Sequence, residues 1–244
     1  MPGHCAWLTD SALPLLLGGE LDPALRGQIA RCLNFLPPGA RIFQVGLMLA
    51  RASRITRLCV RGVSRTQIIE YLRALDYDTS SGQLHELLDL LSPLVERIDL
   101  DLDVADRVLP KIGLEGYPAA DPSANYQFLN HLVSCGLSTP AKAEALELWR
   151  GMAHERLTPE IWPRDLLALS GFLGGRVHSI FARWLHHVKI VYQPGFPLQA
   201  KAYLAVHHLW LAPEQIKDLL KLAQSRASEP EGRPLEEQCL SALS

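Results

Sequence analysis

The chain has 244 residues, of which 48% are hydrophobic and 20% charged. This composition is typical of a globular protein and excludes a largely disordered one. The 24 basic and 26 acidic residues give a formal net charge of −2, so we do not expect nucleic acid as a partner, because general nucleic-acid binders carry a basic excess.

The predicted helices are recognised by their caps. Asp22 before Pro23 is typical of an N-cap with proline in the first turn, and Ser64 with Gln67 matches a capping box. Further helices are predicted over residues 84–91, 125–135 and 139–150, and from Ala212 onward with Ile216, Leu219 and Leu220 inward.

Strand pairs are predicted between these helices: 41–49 with 55–63, 97–104 with 111–117, and 187–192 with 200–206. The first pair turns near Ala52 and Ser53. The alternation in 97–104 is strict, which is typical of a half-buried strand. Its apolar residues are Ile98, Leu100, Leu102 and Val104, and its acidic residues are Asp99, Asp101 and Asp103.

The order α-β-β-α recurs about three times, in units of about 70–90 residues. We therefore predict an α+β fold with an antiparallel curved sheet or small partial barrel of about six strands, and helices on its outer face. One domain is expected over residues 1–224, with a loosely ordered tail over 225–244. For residues 152–184, the sequence predicts only a short helix and a loop that covers a sheet face.

The acidic row of Asp99, Asp101 and Asp103 has two interpretations. Three carboxylates on one strand face could hold Mg²⁺ through oxygen ligands. Alternatively, the row is the solvated face of a sheet whose other face is apolar.

Arginines mark the first hairpin. Arg57 and Arg61 share a strand face with Cys59, and Arg51 and Arg54 flank the turn. Guanidinium groups on a sheet face can clamp a carboxylate or phosphate. The alternative is that these arginines form salt bridges to helices or to the acidic row.

Lys201 and Tyr203 share a face of the last predicted strand. If Gln193 lies opposite Leu198, Tyr192 shares that face and Lys189 points to the other one. Lys201 then either binds an anion or extends its ammonium group to the sheet edge. In the same register the pairs His186–His187 and His207–His208 are offset by about three residues, which is too far apart for one zinc ion.

This element order, with Lys201 and Tyr203 on a late strand, resembles the aromatic prenyltransferases of the ABBA type. The resemblance implies a barrel whose inner lysines, arginines and tyrosines hold an isoprenoid diphosphate with Mg²⁺. The positions that could take these roles are Arg57, Arg61, Tyr192, Lys201 and Tyr203. The segment 111–117 also resembles bacterial proteins of ribosomal peptide natural-product pathways.

Two functions follow as expectations. The first is a non-catalytic, cofactor-free protein that binds a peptide and presents it to a modifying enzyme. The alternative is a small prenyltransferase. The five cysteines are widely spaced, and no apolar run approaches about 20 residues. We therefore predict a cytoplasmic protein without a membrane partner. The leucines of the predicted helix 84–91 either pack in the core or form the interface of a homodimer.

Overall fold

The computed structural model describes residues 6–47, 55–119, 122–156, 158 and 161–217. The predicted α+β class with antiparallel strand pairing is confirmed. The chain divides into two compact units. Unit 1 comprises the described residues up to Tyr117 together with Val188–Lys201, and unit 2 comprises Pro118–His187 together with the described residues from Ala202 onward. The prediction of one domain over 1–224 stays a prediction, and the tail 225–244 lies outside the described residues.

Unit 1 contains the first four α-helices, and a π-helical turn at Leu8–Ala12 precedes them. Both predicted caps are confirmed. The Asp22 side chain accepts hydrogen bonds from the backbone N–H groups of Ala24 and Leu25 at 2.8 and 3.3 Å, and Ser64 and Gln67 form a reciprocal capping box. The helices are α1 (Leu13–Leu17), α2 (Pro23–Asn34), α3 (Arg65–Ala74) and α4 (Gly82–Leu91).

The sheet of unit 1 is antiparallel, in the order β1-β2-β3-β4-β6, where only the part of β6 from Val188 onward belongs to this unit. The strands are β1 (Arg41–Leu47), β2 (Thr56–Arg61), β3 (Arg97–Val104) and β4 (Val108–Tyr117). A bulge lies between Ile42 and Gln44 of β1. The predicted turn at Ala52 and Ser53, with Arg51 and Arg54 beside it, lies outside the described residues.

One face of this sheet belongs to the apolar core of unit 1. Its buried residues include Leu58, Val60, Leu100, Leu102, Leu114 and Ile190. The Tyr71 hydroxyl donates a buried hydrogen bond to the Cys32 carbonyl oxygen at 2.7 Å, which ties α3 to α2. Four of the five leucines of α4 (Leu84, Leu87, Leu88 and Leu91) are buried within the chain, and Leu90 is partly exposed. Core packing is therefore the correct interpretation of this helix, and its leucine face is not open to a second copy.

Unit 2 contains the remaining elements and has a smaller apolar cluster. Ile180, Leu211 and Ile216 form this cluster, with Met152 and Leu209 packed against it. The elements are α5 (Pro122–Ser134), α6 (Pro140–Trp149), β5 (Gly151–His154), α7 (Arg164–Phe172), β6 (His178–Tyr192) and β7 (Gln199–Leu211). Of these, β6 from Val188 onward and β7 up to Lys201 belong to unit 1. A helical segment over 213–217 follows β7, and the predicted Leu219 and Leu220 lie outside the described residues.

The order α-β-β-α is observed twice, but the third unit differs from the prediction. Residues 152–184 contain the predicted short helix, α7, and also β5 and the beginning of β6. The described residues therefore hold seven strands instead of about six. The cause is that β6 mixes polar and apolar residues on both faces, so its alternation is not visible in the sequence. Gly174 and Gly175, both with positive φ, mark the turn before it.

Candidate functional site

The second face of the unit 1 sheet carries a row of opposite charges, which we call the charged face. Strand register brings its members together: Arg57 lies opposite Asp103, Cys59 opposite Asp101, and Glu115 opposite Lys189. The charged face consists of four cations (Arg57, Arg61, Arg97 and Lys189) and four carboxylates (Asp99, Asp101, Asp103 and Glu115). Their formal charges cancel.

The interpretation of the aspartate row as a solvated face is wrong. Asp99 is 0% exposed and Asp101 is 3% exposed. Charged groups are buried at acceptable cost only when they are paired, and cations on neighbouring strands supply the pairs. Among the described residues, no group of three or more His, Cys, Asp or Glu side chains could hold a metal ion.

Asp99 lies between two arginines. Its carboxylate accepts from Arg61 at 2.8 Å and lies 3.0 Å from Nε of Arg97. Each guanidinium also lies over an aromatic ring, Arg61 at 3.9 Å from the Phe43 centroid and Arg97 at 3.7 Å from the Tyr117 centroid. These contacts hold both arginines against the sheet, and the bond to Asp99 raises the pKa of Arg61.

Arg57 and Asp103 form a bidentate pair across β2 and β3. The Arg57 Nε and Nη2 atoms donate to the two Asp103 oxygens at 2.8 and 3.0 Å. Of the two interpretations of Arg57 and Arg61, salt bridging to the acidic row is therefore the one that the structure contains. Such a pair fixes the register of the two strands as well as neutralising both charges.

Lys189, like Arg97 and Glu115, is a member of the charged face that sequence reasoning missed. Its ammonium group pairs with Asp101 and lies 3.8 Å from Glu115 Oε1. A Cβ atom at Gly113 would overlap the Lys189 side chain, so the glycine provides the space that this lysine fills. Burial, with Arg57 and Lys201 nearby, lowers the pKa of Lys189 to about 8, and the pair with Asp101 favours the charged form. The sequence feature that could have identified this residue is a lysine within the otherwise apolar run Val188–Tyr192.

The hairpin register differs from the predicted one. The Tyr203 ring stacks on His187, with 4.3 Å between centroids and an interplanar angle of 16°. His187 and Tyr192 are an odd number of residues apart and so lie on opposite faces of β6. The expectation that Tyr192 shares a face with Tyr203 is therefore wrong. Tyr192 is fully buried opposite Ile112, whereas Lys201 and Tyr203 are exposed.

A buried serine in unit 2, which sequence reasoning missed, contacts His208, the partly buried member of the His207–His208 pair. The Trp162 indole donates to Ser179 Oγ at 2.8 Å, and the same oxygen lies 2.8 Å from His208 Nε2. Burial lowers the pKa of His208, which favours the neutral ring. The indole can only donate, so Ser179 Oγ accepts from it and donates its own proton to His208. Ser179 is fully buried, so this chain of hydrogen bonds holds β6 and β7 together.

A second buried polar group in unit 2 is centred on Glu155. Its Oε1 atom accepts from Ser170 Oγ at 2.6 Å and lies 2.9 Å from His178 Nδ1. Burial acts to raise the pKa of Glu155, but the bonds from Ser170 and His178 outweigh it and the pKa is lowered. This group ties α7 to β6.

Comparison of the chain with family models, curated proteins and solved structures finds no match. The resemblances to ABBA-type prenyltransferases and to proteins of peptide natural-product pathways therefore stay predictions. In the part of the chain that the structure describes, no helix has the length and apolar character needed to cross a membrane.

Proposed function

We propose that the protein binds an extended peptide by adding it as a strand to the outer edge of β7. One observation carries this proposal. Among the strands that the structure describes, the 13-residue β7 pairs with β6 alone. It also exposes large side chains: Tyr203 is 40% exposed, Leu204 47% and Val206 55%.

The other two sheet edges are less suited to this role. β1 carries a bulge, and bulges interrupt the regular spacing that an added strand needs. β5 has four residues, too few for a long ladder of hydrogen bonds. β7 contains no proline, and its one Lys, Arg, Asp or Glu residue is Lys201 near its beginning, so most of its edge lacks the features that normally prevent strand addition.

The side chains of β7 indicate which peptides would bind. Strand addition takes its affinity from main-chain hydrogen bonds and its specificity from alternate side chains. Leu204 and Val206 lie on one face of β7 and Tyr203 on the other. We expect a peptide that places aliphatic residues beside Leu204 and Val206 and a planar or aromatic residue beside Tyr203.

The charged face favours this function over diphosphate transfer. A diphosphate site needs uncompensated cations, whereas Arg57 and Arg61 already bond to aspartates. A peptide held by β7 would keep its own outer edge and one face accessible. That arrangement suits presentation of the peptide to a separate modifying enzyme.

The experiment is selection of random 12-residue peptides displayed on phage against the wild-type protein. The selected peptides are then titrated against wild type and the double variant Leu204→Lys, Val206→Lys. We expect the double variant to bind about tenfold more weakly or worse, because edge lysines oppose strand addition. Hydrogen exchange of the β7 amides should slow when peptide is added.

The matched control is Phe172→Lys, which removes another exposed apolar side chain, 87% exposed, from α7 and not from β7. It should bind like wild type. Equal binding by the double variant, or no change in exchange along β7, would show that the edge is not the peptide site.

A further inference from the structure

Unit 2 contains a cation that has no carboxylate partner among the described residues. Arg183 lies on β6, and its guanidinium carbon is 5.5 Å from the ring centroid of Trp149, the last residue of α6. Arg183 Nε and Trp149 Nε1 are both shielded from solvent, and neither has a hydrogen-bond acceptor within the described chain. Two stacked side chains thus each present a buried N–H group without an acceptor.

This arrangement is costly for the chain alone. A buried donor without an acceptor destabilises a folded protein, and most such groups in native proteins are satisfied. The nearest acid along the chain, Glu147, does not serve as the acceptor, because its own Oε1 atom is buried without a partner and burial raises its pKa. An acceptor from outside the chain would satisfy both donors.

There is room beside Arg183 for such an acceptor. Gly151 of β5 lies directly opposite Arg183, and directly opposed residues point to the same face of a sheet. A Cβ atom added at Gly151 would meet no atom within 4 Å. The space where a Gly151 side chain would lie, across the strand pair from Arg183, is therefore unfilled.

We propose that Arg183 and Trp149 form a binding site for a carboxylate group. A carboxylate offers two oxygens in the plane that a guanidinium prefers, and it carries the single negative charge that one arginine neutralises. The indole N–H adds a second donor, and its ring covers one side of the guanidinium. The site is separate from the edge of β7 and does not depend on peptide binding there.

The test follows the Trp149 indole N–H resonance of ¹⁵N-labelled protein, which is assigned by its absence in Trp149→Phe. Sodium acetate is titrated against sodium chloride at constant ionic strength. We expect a saturable shift with acetate and none with chloride. Arg183→Gln should abolish the shift, and Arg183→Lys, which keeps the charge but loses the planar fork, should weaken binding about tenfold.

The control is Arg164→Gln, which removes an exposed arginine of α7 and should leave the response intact. A second arm compares acetyl-trialanine with its C-terminal amide. Saturation by the acid at lower concentration than acetate would assign the site to a peptide C-terminus, and an equal response would assign it to a small organic acid. A response equal to that with chloride, or one that persists in folded Arg183→Gln or Arg183→Lys at full strength, would overturn the site.

Discussion

Lys189 illustrates how single residues hold the charged face together. It is buried on a strand that is covered on both faces, and its ammonium group contacts Asp101 across β4, where Gly113 leaves the space. Both charges are costly to desolvate, so the presence of the pair is not by itself evidence of added stability. Removing one partner has a different effect from removing both.

We predict that Lys189→Met lowers the free energy of unfolding by about 3–5 kcal/mol, because Asp101 is left buried without its cation. The double variant Lys189→Met, Asp101→Leu should recover most of that loss. Urea unfolding followed by tryptophan fluorescence measures both, with Lys111→Met, an exposed lysine of β4, as control. Additive losses in the double variant would mean that the two side chains are not coupled.

The sequence predicted the members of the acidic row but not their environment. Strict alternation places Asp99, Asp101 and Asp103 on one face, which is a local property of β3. Whether that face is buried depends on cations from strands far along the chain: Arg57 is 46 residues from Asp103, and Lys189 is 88 residues from Asp101. No local pattern encodes such a pairing.

At the level of helices and strands, the sequence was sufficient to predict an element where a particular side chain marks its beginning. Asp22 and Ser64 cap α2 and α3 as predicted, and Thr139 caps α6, because a side-chain oxygen satisfies backbone N–H groups that the helix leaves unpaired. β5 and the first part of β6 were missed, because polar residues such as Ser179 and Arg183 interrupt their apolar alternation. Ser179 forms hydrogen bonds with residues distant in the chain, and Arg183 lies beside the Trp149 indole. Neither contact can be predicted from the neighbouring sequence.

We predict that Asp22→Ala destabilises the protein by about 1 kcal/mol, since two backbone donors of α2 lose their acceptor. Asp22→Asn, which keeps a capping oxygen, should cost only a small part of this. The free energy of unfolding in urea is the measurement, and Glu20→Ala, an exposed acid just before the helix, is the control. A loss as large in Asp22→Asn as in Asp22→Ala would indicate a role for the charge instead of the cap.

At the scale of the whole molecule, two buried thiols among the described residues of unit 1 can be used to follow how that unit unfolds. Cys32 is in α2 and Cys59 in β2, and burial raises the pKa of each to about 11. Both are therefore protonated and shielded at pH 8, whereas Cys135 of unit 2 is exposed. Thiolates, not thiols, react with alkylating reagents.

We predict that iodoacetamide at pH 8 labels Cys135 in the native protein and leaves Cys32 and Cys59 unlabelled, as mapped by peptide mass spectrometry. In urea, both buried cysteines should become labelled over the same concentration range, because α2 and β2 belong to one compact unit. Labelling of either one at a clearly lower urea concentration would show that unit 1 opens in parts.

The discontinuity of unit 1 along the chain also affects how the protein is made. The sheet of unit 1 takes its last strand from Val188–Lys201, after the whole of Pro118–His187 has been used for unit 2. A ribosome therefore finishes β1 to β4 long before it delivers Lys189, which arrives 88 residues after Asp101. During that interval Asp101 lacks its cation, and the edge of β4 lacks its partner strand β6. Premature termination before residue 188 would accordingly yield a fragment that cellular proteases degrade readily.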